Sequence, residues 1–221
     1  MLAKPVDSTT SDTHTAEGYL TPAGEGVSEL VEKKSVFIGR CAPVSERAAA
    51  AEYIGKIKSE NRDASCNASA YYIRTDNITH SSDDGEPAGT AGVPVLNAIT
   101  RSGVVDAVVV VTRFFGGTLL GAGGLVRAYS SAASAAVKNA GVAAMTLCET
   151  FEIRVGYPLY DALAAGLARI DARVEETLFS ESVCVRCTVK KEMRGLLSDT
   201  VREISAGRAE AVRVAESYTV F

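Results

Sequence analysis

One segment constrains the fold more than any other: a strand, a glycine-rich turn and a helix of small residues follow each other directly. The strand is predicted over Asp106–Phe115, where the unbroken run Val108–Val111 indicates burial on both faces. The helix is predicted from about Gly124 to Asn139 and ends at Gly141. The pattern therefore predicts a buried strand that leads through a glycine-rich turn into the start of a helix.

Composition excludes several classes of protein. The chain has 221 residues, of which 47% are hydrophobic and 23% charged, as in ordinary globular proteins rather than disordered, collagen-like or coiled-coil ones. The longest uninterrupted apolar run, Ala107–Val111, is far shorter than the roughly 20 residues of a membrane span. Five cysteines, an odd number, fit reduced thiols, and the first thirty residues lack an apolar signal core. We therefore expect a cytoplasmic protein without a membrane partner.

Charge and composition divide the chain into three parts. Residues 1–26 are rich in Ser, Thr, Asp and Gly and are predicted to form a disordered tail. Residues 27–145 form the predicted N-terminal α+β domain, and residues 146–221 form a second domain. Net charge is −4 overall, but residues 31–145 carry twelve basic and ten acidic residues and alone lean basic. This excess of positive charge is small, so the clustering of the basic residues in space would matter more than their sum.

Local patterns place further elements along the chain. In the N-terminal domain they predict a strand at Val31–Ile38, a helix from Ser45 to about Glu60, a strand at Ala70–Arg74, a polar loop at Ser81–Gly92 and a helix from Pro94 to Gly103. In the second domain they predict Cys148–Val155, Tyr160–Ile170, Arg173–Phe179, Ser182–Val189, Glu192–Ser205 and Glu210–Glu216 as strand, helix, strand, strand, helix and strand. That βαββαβ order is typical of a ferredoxin-like sandwich.

The first candidate site is the acidic loop, which has three carboxylates within four residues. Such a group could hold a hard cation or serve as acid and base, and the glycines would let a backbone approach closely. The alternative is a solvated turn with side-chain to backbone bonds. The candidate ligand-binding residues are Asp83, Asp84, Glu86, Gly89, Thr90 and Gly92.

The second candidate site is the glycine-rich turn. A helix start presents free N–H groups and a partial positive charge, so it favours anions, and flanking arginines could complete a clamp. The alternative is tight packing without a ligand. We also expect positive φ at Gly123, so that Gly123→Val would disturb the turn. The candidate anion-binding residues are Arg113, Gly116, Gly117, Gly121, Gly123, Gly124 and Arg127.

Known catalytic and phosphate-binding patterns fail in this chain. Ala122 and Gly123 stand where a Walker motif needs Lys and Ser or Thr, and Val126 replaces the last glycine of a dinucleotide fingerprint. His80 is the only histidine of the predicted domains, which leaves no triad and a poor supply of zinc ligands. No catalytic residue, metal or cofactor is therefore predicted, and the balance leans away from an enzyme.

The two candidate loops, however, resemble a known family. Asp83–Gly92 and Arg113–Gly117 with Gly121–Tyr129 are similar to the signatures of the IMPACT/YigZ family, and Glu32–Ile38 resembles its opening strand. The resemblance implies an N-terminal domain like the second domain of a small-subunit ribosomal protein, followed by a ferredoxin-like domain. It also implies a regulator of translation that binds the ribosome, RNA or a translation-related protein.

The chain departs from the family pattern before the acidic loop. Members usually show His-Asn-Cys-x-Ala-Tyr there, whereas Cys66 replaces that His and Ala68 replaces that Cys. Val36 also stands where the family has Arg after Lys-Lys-Ser. Three functions stay open at this point: a translation-associated binding protein, an enzyme acting on a small phosphorylated or carboxylated substrate at the acidic loop, and a protein-interaction module.

Overall fold

The computed structural model of the protein describes residues 18–221 and divides them into two compact units. The first unit is Tyr19–Ala143, and the second is Ala144–Phe221 with Gly18. Helices and two antiparallel sheets make up the described chain, which confirms the predicted α+β class. No helix within residues 18–221 is long and apolar enough to cross a membrane.

The first unit is a five-stranded antiparallel sheet with helices on both faces. The strand β1 (Gly18–Pro22) precedes this sheet in the chain and is not one of its five strands. The other elements are β2 (Gly26–Glu32), β3 (Ser35–Pro43), α1 (Arg47–Glu60), β4 (Cys66–Ile73), β5 (Ile78–Ser82), α2 (Gly92–Arg101), β6 (Ala107–Phe114) and α3 (Ala122–Ala140). The strands are ordered β2-β3-β6-β4-β5, which places β6 at the centre. The glycine-rich turn and the start of α3 therefore follow directly from the central strand.

The valine run of β6 is buried on both faces, as predicted. Val109 and Val111 belong to the core beneath α2 and α3, whereas Val108 belongs to the smaller core beneath α1. This alternation follows from the two-residue period of a strand. Because α2 and α3 share one face of the sheet, their outer surfaces form a common layer, and α1 covers the opposite face.

The second unit runs in the βαββαβ order predicted from the sequence. Its elements are β7 (Val142–Val155), α4 (Tyr157–Arg169), β8 (Arg173–Phe179), β9 (Val183–Lys190), α5 (Arg194–Ser205) and β10 (Ala211–Val220). The strands pair antiparallel in the order β10-β7-β9-β8. Leu163 and Leu167 of α4 and Leu197 and Val201 of α5 join one core cluster with Phe151 of β7, so both helices cover one face.

The prediction that residues 1–26 form a disordered tail is wrong for residues 18–26. Residues 1–17 lie outside the described residues, but Gly18–Pro22 is a strand and Gly26 begins another. The Val105 N–H donates to the Leu20 carbonyl at 2.8 Å, and the Arg74 guanidinium lies 4.2 Å from the centre of the Tyr19 ring. These contacts are with residues far along the chain, so the local composition of the segment could not show them.

The opening strand also differs from the prediction, since Val31–Ile38 is a hairpin rather than one strand. β2 and β3 are joined by Lys33 and Lys34, whose φ values are +46° and +67°. A two-residue turn with positive φ at both positions is usually signalled by Asn-Gly or Asp-Gly, and Lys-Lys lacks that signal. The predicted polar loop is likewise partly ordered, because Ser81 and Ser82 end β5.

Candidate anion-binding site

Asp83 organises the acidic loop by accepting three backbone hydrogen bonds. Its Oδ1 accepts the N–H groups of Ala91 and Gly92 at 2.9 and 2.8 Å, and its Oδ2 accepts the Gly89 N–H at 2.8 Å. Ala91 and Gly92 begin α2, so the carboxylate satisfies donors that a helix start leaves free. Burial alone would raise the pKa of Asp83, but these three N–H groups hold it below its ordinary value.

Asp83→Asn is expected to lower the free energy of unfolding by about 1–2 kcal/mol at neutral pH, because the amide NH₂ would face a backbone donor. The parent protein holds this stabilisation above the ordinary carboxyl pKa and loses it as the pH falls through the lowered pKa of the folded state. Urea unfolding followed by circular dichroism from about pH 2 to pH 7 measures both effects. Parallel stability curves for parent and variant would contradict this role.

Asp84 ties the acidic loop to α1 and β4. Its Oδ1 lies 2.5 Å from the Lys58 Nζ, and its Oδ2 accepts the Asn67 N–H at 2.7 Å. Its φ of +48° is in the left-handed region, which Asp tolerates better than most residues. Both carboxylate oxygens therefore already serve the loop.

Glu86 is the buried link between the acidic loop and the glycine-rich turn. Its Oε1 accepts hydrogen bonds from the Arg113 Nη1 at 2.6 Å and from the Tyr129 hydroxyl at 2.9 Å. The side chains of Glu86 and Arg113 are only 10% and 8% exposed. Burial first, and then the neighbouring Cys66 and Glu86, raise the pKa of Tyr129, so the neutral hydroxyl donates. The guanidinium predicted as half of an anion clamp is thus engaged inside the protein.

The remaining predicted residues of the acidic loop shape its backbone. Gly89 has φ +77°, and the Thr90 Oγ1 donates to the Pro87 carbonyl at 2.6 Å. A Cβ on Gly92 would lie 2.7 Å from backbone atoms of Ser82, so only glycine fits there. Within residues 18–221 no group of three or more His, Cys, Asp and Glu side chains is placed to hold a metal ion. These contacts favour the turn interpretation of the loop over a ligand site.

The glycine-rich turn packs against the tip of the β2–β3 hairpin. A Cβ on Gly116 would lie 2.0 Å from the Lys34 carbonyl carbon, and the Gly116 N–H donates to the Ser35 Oγ at 3.1 Å. Gly117 has φ +79° and meets nothing within 4 Å of its Cβ position. Gly116 is therefore closely packed against the hairpin tip, whereas the next residue, Gly117, is exposed and has open space around it.

The start of α3 presents its backbone donors to solvent. Gly121, with φ +73°, precedes the helix, and no side chain of the described chain caps it. Ala122 and Gly123 are exposed, and the first N–H groups of any helix have no partner within the helix. This is the geometry that the glycine pattern predicts for an anion site.

Gly123 does not have the positive φ expected from the sequence. It lies inside the first turn of α3, and only Gly117, Gly121 and other glycines outside this helix have positive φ. A Cβ at Gly123 would meet only the Arg127 Nη1, at 3.6 Å. The prediction was wrong because the helix begins at Ala122, earlier than the predicted Gly124, so Gly123 takes helical φ. Gly124 packs on the Leu120 side chain.

Arg127 is the free arginine of the turn. Its guanidinium lies over the first turn of α3, close to Gly123, and the residue is exposed. Within the described residues it makes no ion pair, in contrast to the buried Arg113. Arg127 and the uncapped helix start therefore point to the same solvent region, where an anion would meet both.

Lys33 and Lys34 belong to this region, and the sequence prediction missed them. Both are exposed, and the backbone of Lys34 contacts Gly116. Left-handed backbone at a non-glycine residue costs about 1–2 kcal/mol and persists where the surroundings impose it. The hairpin tip thus adds two cations beside the glycine-rich turn. The signal in the sequence that could have indicated this hairpin tip is the pair of adjacent lysines between two stretches of alternating apolar residues.

Acidic residues are nearly absent from this part of the chain. Between Glu86 and Glu149 the only one is Asp106, which is buried and accepts the Arg74 N–H at 2.7 Å. Neither α2 nor α3 contains Asp or Glu, although the chain holds 27 of them. The outer layer of these two helices is therefore cationic while the whole chain is acidic.

Two of the three departures from the family pattern lie in the core. Cys66 and Ala68 are buried on β4, and the Cys66 Sγ donates to the Asp83 carbonyl at 3.3 Å. Burial raises the pKa of Cys66 to about 11, which keeps its thiol protonated at neutral pH. Cys66 therefore supports the acidic loop through this hydrogen bond, whereas Ala68 belongs to the core beneath α2 and α3.

These observations define the class of the protein: it is a two-unit α+β protein with an acidic loop, a glycine-rich turn and a cationic helix layer. The sequence model of the Impact N-terminal domain matches residues 33–137, which include both loops. The "IMPACT family member YvyE" of Bacillus subtilis is 35% identical, over 87% of this chain and 89% of that protein. The chain belongs to the IMPACT family.

Other relatives extend the similarity over both units. The "IMPACT family member YigZ" of Escherichia coli is 29% identical over 90% of this chain and its own full length. A crystal structure of a hypothetical protein, also 29% identical, aligns over 92% of this chain and all of its own with a TM-score of 0.60. The similarity therefore extends along both units rather than over one motif.

Proposed function

We propose that this chain is a translation-associated regulator that binds the ribosome through the side of its first unit that carries the glycine-rich turn and the start of α3. The observation that carries the proposal is Arg127, which forms no ion pair within residues 18–221 and lies over the uncapped start of α3, a helix that contains no Asp or Glu. Phosphates are the groups that such a helix start and a free guanidinium attract together.

The fold supports the same interpretation. The strand order β10-β7-β9-β8 with two helices on one face corresponds to a ferredoxin-like unit, and we assign the first unit to the class of the small-subunit ribosomal protein domain. The family resemblance ties both to translation. We propose Lys33, Lys34, Arg127 and the glycine-rich turn as the contact surface.

The two alternatives receive less support. An enzyme at the acidic loop would need free carboxylates, whereas Asp83, Asp84 and Glu86 each accept hydrogen bonds from the protein itself. A protein-interaction module remains the second candidate, because a cationic layer also attracts acidic proteins.

Arg127→Glu is expected to abolish salt-sensitive comigration with ribosomes, because it places a carboxylate where a phosphate would lie. The measurement is co-sedimentation from lysate at low and high salt, where the loss of one phosphate contact lowers the salt slope by about 1. Arg47→Glu is the matched control, since Arg47 is an exposed arginine of α1 on the opposite face of the sheet.

Ribosome binding that survives Arg127→Glu at every salt concentration would refute the proposed contact surface. Comigration that is insensitive to salt would instead favour the protein-interaction module. Equal losses for Arg127→Glu and Arg47→Glu would show that net charge alone governs the interaction.

A further inference from the structure

A groove of about 280 Å³ lies between α2 and α3, on the layer that carries Arg127 but toward the other end of α3. Its polar lining is Arg101, Ser102, Ser134 and Lys138, and its apolar lining includes Ala98 and Val137. All lining residues belong to the first unit. The groove therefore belongs to the face opposite α1.

Both cations of the groove are without an acidic partner. Neither Arg101 nor Lys138 forms an ion pair within residues 18–221, and both are exposed. No carboxylate lines the groove, and the helices that form it contain none. Two like charges beside one groove repel each other, and an anion between them would remove that repulsion. The chemistry of the lining thus favours an anionic occupant.

The groove and the glycine-rich turn lie on the same side of α3. Arg127, Ser134 and Lys138 are spaced at i, i+7 and i+11, which places Ser134 and Lys138 each within about 20° of Arg127 around a helix. At about 1.5 Å per residue, Arg127 and Lys138 are separated by about 16 Å along the helix. A single small anion cannot contact both positions, whereas a chain of phosphates can.

We propose that the groove is a second phosphate site, for an RNA strand that runs along α3 from the glycine-rich turn to Arg101 and Lys138. The proposal rests on the proposed function and adds its ligand class and path. At about 3.4 Å per stacked nucleotide the path covers roughly five nucleotides. The groove lining holds no aromatic side chain on which a base could stack, so the contacts are to sugar and phosphate.

The test is fluorescence anisotropy with a labelled twelve-nucleotide single-stranded RNA of mixed sequence, titrated with the full chain at several KCl concentrations. The groove variant Arg101→Glu/Lys138→Glu should bind at least about tenfold more weakly, and its salt slope should fall by about 1.4, the value for two phosphate contacts on a single strand. Arg101→Lys/Lys138→Arg should retain binding, because it keeps both charges.

The matched control is Arg47→Glu/Lys56→Glu, which makes the same charge change at exposed positions of α1. It should bind the RNA as tightly as the parent. Circular dichroism and melting curves of all variants establish that each is folded. A loss as large in this control as in the groove variant would overturn the proposal.

The outcomes separate the groove from the turn. If Arg127→Glu loses RNA binding while the groove variant does not, the groove proposal is overturned and the proposed function stands. If only the groove variant loses binding, the contact at Arg127 is refuted, and the path from the glycine-rich turn along α3 is overturned with it. If the parent comigrates with ribosomes but binds polyglutamate at least as tightly as RNA, the RNA path is overturned in favour of an acidic protein segment.

Discussion

Glu86→Met is expected to destabilise the first unit by about 3–5 kcal/mol, the usual cost of leaving one member of a buried ion pair alone. Arg113 would keep its charge in a site where it is only 8% exposed, and its Nε already has no hydrogen-bond partner in the described structure. Tyr129 would lose the acceptor of its hydroxyl. Urea unfolding followed by circular dichroism measures the loss.

A double-mutant cycle tests the cause. Arg113→Met alone should also be strongly destabilising, because it leaves Glu86 buried without its cation. Glu86→Met/Arg113→Met should cost less than the sum of the single changes, by at least about 2 kcal/mol, because it removes both charges together. Additive losses would show that the pair is not coupled, and a Glu86→Met loss below about 1 kcal/mol would contradict its burial.

Gly116→Ala is the second large effect, expected to cost about 3 kcal/mol. The new methyl group would lie 2.0 to 2.3 Å from three backbone atoms of Lys34 and Ser35, so the hairpin tip or the turn must move. The same displacement should weaken ribosome binding, because it shifts Lys33 and Lys34 away from the start of α3. Melting curves and co-sedimentation measure the two consequences.

Gly123→Ala is the matched control for Gly116→Ala, seven residues further along the same motif. Its Cβ has open space apart from the Arg127 Nη1 at 3.6 Å, and a helical glycine replaced by alanine gains up to about 1 kcal/mol. We expect opposite signs for the two substitutions. Similar losses at both positions would show that the turn tolerates no side chain for a reason other than the hairpin contact.

Most elements could be predicted because their signals are local. The run Val108–Val111 identified the central strand, and the helix ending at Gly141 was found to within a residue. The βαββαβ order of the second unit was also found, although β7 begins at Val142 rather than Cys148 and β10 ends at Val220 rather than Glu216. β1 and the Lys33–Lys34 turn were missed, since both depend on contacts with distant segments rather than on residue preferences.

The residues of the candidate site could be predicted from the sequence, but not which of its charged side chains are paired within the protein and which are exposed. Sequence motifs placed Asp83, Asp84 and Glu86 in one loop and two arginines beside the glycines. Only folding pairs Arg113 with Glu86 and leaves Arg127 exposed. Whether a charged side chain is paired inside the protein or exposed to solvent depends on which strands and helices surround it.

The sequence by itself therefore determined the α+β class, the two loops and the family. The tertiary structure decided which charges are available: it buries Arg113, engages the three carboxylates, and aligns Arg101 and Lys138 with Arg127 along one helix layer. The physical reason is that residue type and spacing fix the local backbone. Burial and pairing of charge, in contrast, arise only when segments distant in the chain pack together.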